Sequence, residues 1–532
     1  MPQALHPSVV LVADRTLSAD YRVLFEGMLA TAQTTRTPGW LMRRLLSPRL
    51  RTDSLGRAKA APLGIRRLES ALLSQGGLAA EQVVCATPES LPRLLGPWVK
   101  VVGVSSGDPL GGGMSNTTSA QFFGGRLYTQ AWTDRLMRTI RRAKEKHGFR
   151  VFGGGPGAWQ WRQDASAAAR HGLDCVFEGY FESRGPGVFR DALAGRPCPP
   201  HVRAEGTALK DIRPIRGPSV MGVVEVSRGC GRGCRFCFSA RLGMEHLPVD
   251  AILADLATNT AGGLRSAVLG SEDFFRYGAG GAKVDFERLV ALLEAVAKVD
   301  GLSFVQVDHA NISSIAQLTA DQLREVRRLL TLRSCVRYPW LNIGIESASG
   351  QLVHANGPGK IAPFDPKDWP DLVRQTASRV SEAGFLPLFS VVLGLPGETP
   401  ADVAATKELV GDLSKRAAAV FPIFYEPLPG RGSAPGSPPS EGGRFDVSSL
   451  RDDHLDLFTA CYEMNFRWIP RLFADNQRAG GVGWTRRIML QCLGRGQVFL
   501  WRRSFRRLRR QIASRGEGRP APQKPKACEV SA

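Results

Sequence analysis

Short apolar runs separated by amphipathic stretches fill the first two hundred residues. The runs fall at Ser8–Ala13, Gln82–Ala86, Val99–Ser105, Phe149–Gly153 and Leu173–Phe177. Between them, Leu63–Ser74, Tyr128–His147 and Trp159–His171 carry helical spacing. Continuous apolar runs alternating with helices predict buried parallel strands, here a Rossmann-like, doubly wound sheet over residues 1–200. A Pro-rich stretch, Arg196–Gly217, predicts a linker, drawn at 201–218. Six further strand candidates follow at Val223–Val226, Ser266–Leu269, Ser303–Val307, Leu341–Ile345, Leu388–Leu393 and Ala419–Tyr425. Helices such as Asp250–Thr260 and Phe286–Val299 separate them, which predicts a partial (β/α)6 barrel over 219–430. Residues 431–515 begin as a Gly-, Pro- and Ser-rich loop and continue as a basic helical region; 516–532 read as a disordered tail. The fold class is therefore α/β, with a helical C-terminal region.

A chain of 532 residues is too long for one ordinary core. It contains no apolar run long enough to span a bilayer, and Met1–Val12 lacks the features of a secretory signal. Three of the ten cysteines crowd into eight residues and the others are scattered. That pattern suits a reducing cytoplasm and one metal site better than a disulfide framework. The net charge of +21 favours an anionic partner, whether nucleic acid, phospholipid or an acidic substrate. An arginine-rich genomic bias explains the same number equally well.

The chemistry concentrates in Glu225–Leu242, EVSRGCGRGCRFCFSARL. Its C-x3-C-x2-C spacing lets Cys230, Cys234 and Cys237 hold three irons of a [4Fe–4S] cube and leave the fourth open to an outside ligand. Gly229, Gly231 and Gly233 let the backbone bend around a cluster, and Arg228, Arg232 and Arg235 add positive charge. A zinc site is the competing reading. It lacks a paired fourth ligand, because the nearest candidate, His246, stands alone. Three unrelated buried thiols are the other alternative.

With Phe236 as the aromatic of C-x3-C-x-aromatic-C, this segment resembles the radical S-adenosylmethionine (SAM) superfamily. The resemblance implies that SAM binds the open iron and is cleaved to methionine and a 5′-deoxyadenosyl radical. Gly270–Phe275 (GSEDFF) is similar to the family's Gly-Gly-Glu segment, which implies that Ser271 and Glu272 approach the SAM amino group. Asn342–Ser347 (NIGIES) implies Glu346 and Ser347 near the ribose. Leu393–Thr399 (LGLPGET) implies Gly394 near adenine. Helix capping is the bland alternative for these acids, above all for Glu398.

An α/β domain ahead of such a barrel resembles the cobalamin-binding subfamily. Gly153–Trp159 (GGGPGAW) and Leu173–Glu182 (LDCVFEGYFE) are similar to its Gly-Gly-x-His…Asp-x-Val-x-Gly-Glu-x-Glu pattern, without the His. The Asp-x-His-x-x-Gly signature of histidine-ligated cobalamin is also absent. Small residues at the strand ends, including Ser105, Ser106, Gly154 and Gly155, would let a large flat ligand approach; a degenerate, purely structural domain is the alternative. Segments 344–349, 369–372 and 384–399 are similar to lipid-modifying members such as archaeal tetraether ring synthases. The resemblance implies a C-methyltransferase acting on an unactivated carbon of a small-molecule or lipid-like substrate, with an electron donor such as flavodoxin or ferredoxin. The rivals are a carbon–carbon coupling or ring-forming enzyme and a non-catalytic iron–sulfur protein that binds nucleic acid or membrane.

At the C-terminus, Val498, Trp501, Phe505, Leu508 and Ile512 share one helix face amid six arginines. Such a helix predicts either peripheral contact with an anionic membrane face or docking on the enzyme's own barrel. Nucleic acid is disfavoured, since no recognised binding motif accompanies the arginines.

Overall fold

The structure is a computed structural model and describes residues 5–237, 239–428 and 445–517. Six parallel strands form the N-terminal sheet: β1 (Val9–Ala13), β2 (Val83–Ala86), β3 (Val101–Ser105), β4 (Arg150–Gly154), β5 (Cys175–Glu178) and β6 (His201–Arg203). Their order, β2-β1-β3-β4-β5-β6, is the flavodoxin-type doubly wound order. Alternation along β1 shows why both faces are covered. Val9 and Leu11 pack with Ile65, Leu72 and Phe189, whereas Val10 and Val12 pack with Leu136, Met137 and Ile140. β6 lies inside the stretch expected as a linker, so the sheet extends past residue 200: His201 and Val202 pair with Val176 and Phe177.

Seven parallel segments form the second α/β unit. β7 (Val223–Glu225), β10 (Ser266–Gly270) and β11 (Phe304–Val307) make one sheet; β12 (His309–Asn311), β13 (Trp340–Glu346), β14 (Leu386–Leu393) and β15 (Ala419–Phe424) make the other. A short antiparallel pair, β8 (Ser227–Arg228) and β9 (Glu245–His246), stands apart. β11 and β12 are consecutive and interrupted at Asp308, so the unit matches six barrel strands with the third one broken. Branched and aromatic side chains such as Val224, Leu269, Val307, Ile343 and Phe389 fill its core.

The two units interlock. The helix Met114–Phe123 leaves the loop after β3 and carries Phe122 into the barrel core, against Phe424 and Phe458 at 5.5 and 4.4 Å between ring centres. Phe424 N donates to Thr118 Oγ1 at 3.0 Å, so this helix also covers the free edge of β15. Leu24, Phe25 and Met42 pack with Trp340, Leu388 and Leu472.

The C-terminal helix Trp484–Glu517 docks on the protein itself. Trp501, Phe505 and Leu508 are buried in the barrel's cluster, and Ile512 packs against it half-buried. Arg502 and Arg509 pair with Glu463 and Asp456, each at 2.7 Å. Of the two expectations for the apolar stripe, docking on the protein itself is the one observed, with Trp501 packed on Phe122, Phe458 and Tyr462. No helix among the described residues is long and apolar enough to cross a membrane.

Candidate functional site

The three cysteines sit on a loop closed by the pairing of β8 with β9. Cys230 N donates to Leu242 O at 3.0 Å, and Gly233 N to Ala240 O at 3.2 Å. The loop turns through Gly229, Gly231 and Gly233, with φ of 74°, 71° and 71°, a left-handed conformation that costs glycine nothing. At Gly229 the approach is also close: a Cβ would stand 2.2 Å from Gly243 O. Cys234 is buried, and Cys230 and Cys237 are half-buried. Burial raises all three thiols above their usual range, that of Cys237 to about 12, helped there by the Glu272 charge. Loading a metal on them must therefore expel protons, and the cation supplies the charge that burial withholds.

Two flanking segments hold this loop. Arg232 is an internal anchor: it pairs with Asp273 at 2.9 Å and donates to Gly359 O at 2.7 Å and Ser314 Oγ at 2.8 Å. Its charge is spent on Asp273 rather than offered to a cluster. The segment Asn356–Lys360 packs from the other side. Arg235 N donates to Asn356 O at 2.8 Å, and a Cβ on Gly357 would stand 2.9 Å from Cys234 Sγ. His246, the candidate fourth zinc ligand, hydrogen-bonds through Nε2 to Ala279 O at 3.1 Å. Among the described residues no three His, Cys, Asp or Glu side chains converge as a single-ion site requires. A glycine-lined loop with one buried and two half-buried thiols fits an iron–sulfur cluster held by three cysteines.

Charged groups from the strand ends face the same basin. Glu272 is exposed and accepts from Ser239 Oγ at 2.8 Å. Glu346, at φ 61° in a bulge of β13, pairs with Lys360 at 2.6 Å. Gly344 makes room for that pair, since a Cβ there would meet Glu346 Oε1 at 2.4 Å and Lys360 Nζ at 2.6 Å. At the break between β11 and β12, His309 Nδ1 lies 2.9 Å from Asp308. Burial opposes the His309 charge, but Asp308 outweighs it and the imidazole rises to about 9. Cys237 feels Glu272, Cys234 feels Lys360 and Glu346, and His309 feels Glu272 and Lys360. These side chains share one electrostatic neighbourhood.

Other expected residues have internal partners. Ser271 Oγ bonds Ser227 Oγ at 2.6 Å, and Ser347 Oγ bonds Thr406 Oγ1 at 3.1 Å. Gly394, at φ 80°, is covered by Phe445 and donates to Glu398, which bonds His454 at 2.7 Å. In the N-terminal sheet, Ser105 and Gly154 are register partners at the ends of β3 and β4. Ser106 is buried against Thr133 at 2.9 Å, and a Cβ on Gly155 would stand 2.4 Å from Ser105 Oγ. These small residues let the two loops pack on each other. The faces still open beside them are backbone: Gly111 to Gly113 are half-buried, and Gly155 and Pro156 are exposed.

Sequence reasoning missed Lys360, the Asp308–His309 pair and Tyr180. The first two had signals: Gly-Pro-Gly-Lys after a helix, and Asp-His directly after a strand. Tyr180 had none, for only the fold brings its ring over Arg228, 4.1 Å from the guanidinium carbon.

Comparison with known proteins agrees with this geometry. The family model described as the radical SAM superfamily matches residues 224–410. A ribosomal protein uS12 methylthiotransferase from Anaeromyxobacter sp. (strain K) is 28% identical over 40% of this chain and 43% of its own length. A tRNA-2-methylthio-N(6)-dimethylallyladenosine synthase from Aromatoleum aromaticum is 23% identical over 41% of this chain and 46% of its own. The chain thus spans less than half the length of these relatives. Among solved structures, the radical SAM methyltransferase TsrM from Kitasatospora setae, with cobalamin and a [4Fe–4S] cluster bound, shares the fold. Its TM-score is 0.53 at 14% identity, over 92% of this chain and all of that one. Residues 224–410, which carry the three-cysteine loop at the mouth of a partial barrel, match the family model of the radical SAM superfamily.

Proposed function

We propose that this protein is a cobalamin-dependent radical SAM C-methyltransferase. The carrying observation is architectural: a flavodoxin-type sheet whose loop after β5 reaches Arg228 beside the cysteine loop, in a fold shared along nearly the whole chain with a cobalamin-binding methyltransferase. Cys230, Cys234 and Cys237 would hold the cluster, and the exposed Glu272 carboxylate, which accepts from Ser239, would meet a SAM amino group. Ser271, Ser347 and Gly394 would act through backbone and shape, since their own groups are engaged. When bound, cluster and cobalamin supply radical initiation and methyl transfer. The chain itself binds, orients and excludes water.

The N-terminal edge fits a large flat ligand met by backbone. The loops 105–116 and 153–159 contain no histidine, and nearby His171 and His201 are held by Asp134 and Glu178, each at 2.9 Å. The full chain, reconstituted anaerobically, should retain cobalamin through gel filtration, and the paramagnetic resonance of its cob(II)alamin should lack nitrogen splitting from a histidine below cobalt. Cobalamin lost on the column, with SAM still cleaved to 5′-deoxyadenosine, would favour the coupling or ring-forming reading. A lipid-like substrate loses its main support with the stripe docked. Contact with an anionic surface would have to use the helix's outer face, where Phe499 and Leu500 are exposed beside Arg503 and Arg507. Co-sedimentation with anionic vesicles at low and high salt tests that reading.

A further inference from the structure

Two residues before Cys230, Arg228 belongs to a buried ionic network that crosses between the two α/β units. Its guanidinium grips Glu182 with both ends, Nη2 to Oε1 at 2.6 Å and Nη1 to Oε2 at 3.2 Å. It also donates to Glu225 through Nε at 3.1 Å and Nη2 at 2.9 Å. Glu225 accepts in turn from Arg67 Nε at 3.1 Å, and Arg67 reaches Asp255 at 2.5 Å. Arg67 and Glu182 come from the N-terminal unit; Glu225, Arg228 and Asp255 come from the barrel. Arg228 and Glu182 are 2% and 3% exposed, so water screens neither.

The placement distinguishes this network from a generic ion pair. Glu182 lies in the loop after β5, on the strand-end edge that would face an N-terminal ligand. Tyr180 of the same loop covers Arg228 and feels both Glu225 and Glu272, and Glu272 also acts on Cys237. One short loop therefore touches the edge of the N-terminal sheet and the root of the cysteine loop. The network holds three carboxylates against two guanidiniums, a net negative charge close to where an anionic cluster would sit. Groups behind metal ligands orient them and tune the potential of the metal.

We propose that Arg228 and Glu182 are positioning residues through which the N-terminal unit sets the orientation and reduction potential of the cluster. The proposal rests on the cluster assignment to the three cysteines, and iron content tests that assignment separately. The experiment uses the full chain, reconstituted anaerobically and titrated with reductant while the reduced cluster is followed by paramagnetic resonance. Glu182→Gln keeps the shape and removes one negative charge. It should retain about four irons and shift the midpoint potential to more positive values. Glu182→Asp keeps the charge and should restore the wild-type potential. Arg67→Gln removes a positive charge from the far end of the same network and should shift the potential the other way. Glu69→Gln breaks a comparably buried pair, Arg66–Glu69 at 2.8 Å, within the N-terminal helix; it should lower thermal stability and leave the potential alone. Opposite shifts for Glu182→Gln and Arg67→Gln support the proposal. Unchanged potentials in both, or an equal shift from Glu69→Gln, would overturn it. Should Glu182→Gln fail to hold iron, Arg67→Gln alone decides between these outcomes. A wild-type protein without iron would instead sink the cluster assignment.

Discussion

The two α/β units end their strands in different chemistry. At the C-terminal edge of the N-terminal sheet, the ends of β1, β3 and β4 supply Asp14, Ser105, Ser106, Gly154 and Gly155. Asp14 is fully buried, and most of the rest are consumed by loops packing on loops. At the same edge of the barrel, Glu225, Glu272, Asp308, His309 and Glu346 are charged, and several remain reachable. Both edges are where parallel sheets bind ligands. The difference lies in what each can hold: the ends of β1, β3 and β4 offer backbone and shape, whereas the barrel edge offers opposed charges.

The largest expected effect breaks the comparison on one side only. Replacing Cys230, Cys234 and Cys237 together with Ala should reduce iron from about four per chain to background, while cobalamin retention stays at wild-type level. Iron and cobalt analysis of one preparation checks both. Parallel loss of both metals would mean that the two edges do not act separately.

A second perturbation tests the charged edge alone. Lys360→Met leaves the Glu346 carboxylate buried without its 2.6 Å partner. Breaking a buried pair on one side costs about 3–5 kcal/mol, readable by urea unfolding. Adding Glu346→Gln should recover part of that loss, the coupling a double-mutant cycle measures. A double variant whose loss equals the sum of the two single losses would show that the pair is not coupled.

The third addresses the seam. Trp501 touches Phe123 at 4.4 Å and Tyr462 at 4.2 Å between ring centres, so it joins helices of both units. Trp501→Ala should cost about 3–5 kcal/mol as a buried large-to-small change. If that residue instead anchors the protein to lipid, stability would hold and vesicle binding would fall.

Residue pattern carried much of this. The alternation of apolar runs and helices gave the parallel sheets because burial on both faces requires unbroken apolar strands, as Val9–Ala13 shows. The cysteine spacing marked the loop because its chemistry is local. Three things were hidden for physical reasons. The helix Met114–Phe123 carries no periodic apolar stripe to mark it, since Phe122 and Phe123 cluster at its end. The membrane-like stripe at Trp501–Leu508 was visible, but nothing local says whether lipid or Phe122 covers it. Lys360 and Glu182 meet their partners only through long-range contacts, which no spacing rule encodes.

The smallest expected effect sharpens the account of the neutral edge. Asp14 lies at the crevice between β1 and β3, where the strand order reverses. Burial pushes its carboxyl from 3.8 up to about 6, although the Thr16 and Ser106 hydroxyls work against the rise. Its Oδ2 has no hydrogen-bond partner among the described residues. The folded state therefore keeps a proton that the unfolded chain has released at the same pH. Its contribution to stability is complete below about pH 4 and is lost as pH rises through about 6, a swing of about 3 kcal/mol at 1.36 kcal/mol per unit. Asp14→Asn cannot titrate. The stability difference between wild type and this variant should shift by that amount between pH 4 and 7, with the wild type losing ground as pH rises. A difference flat in pH would mean that the carboxylate is solvated or paired, and that the neutral edge holds a charge after all.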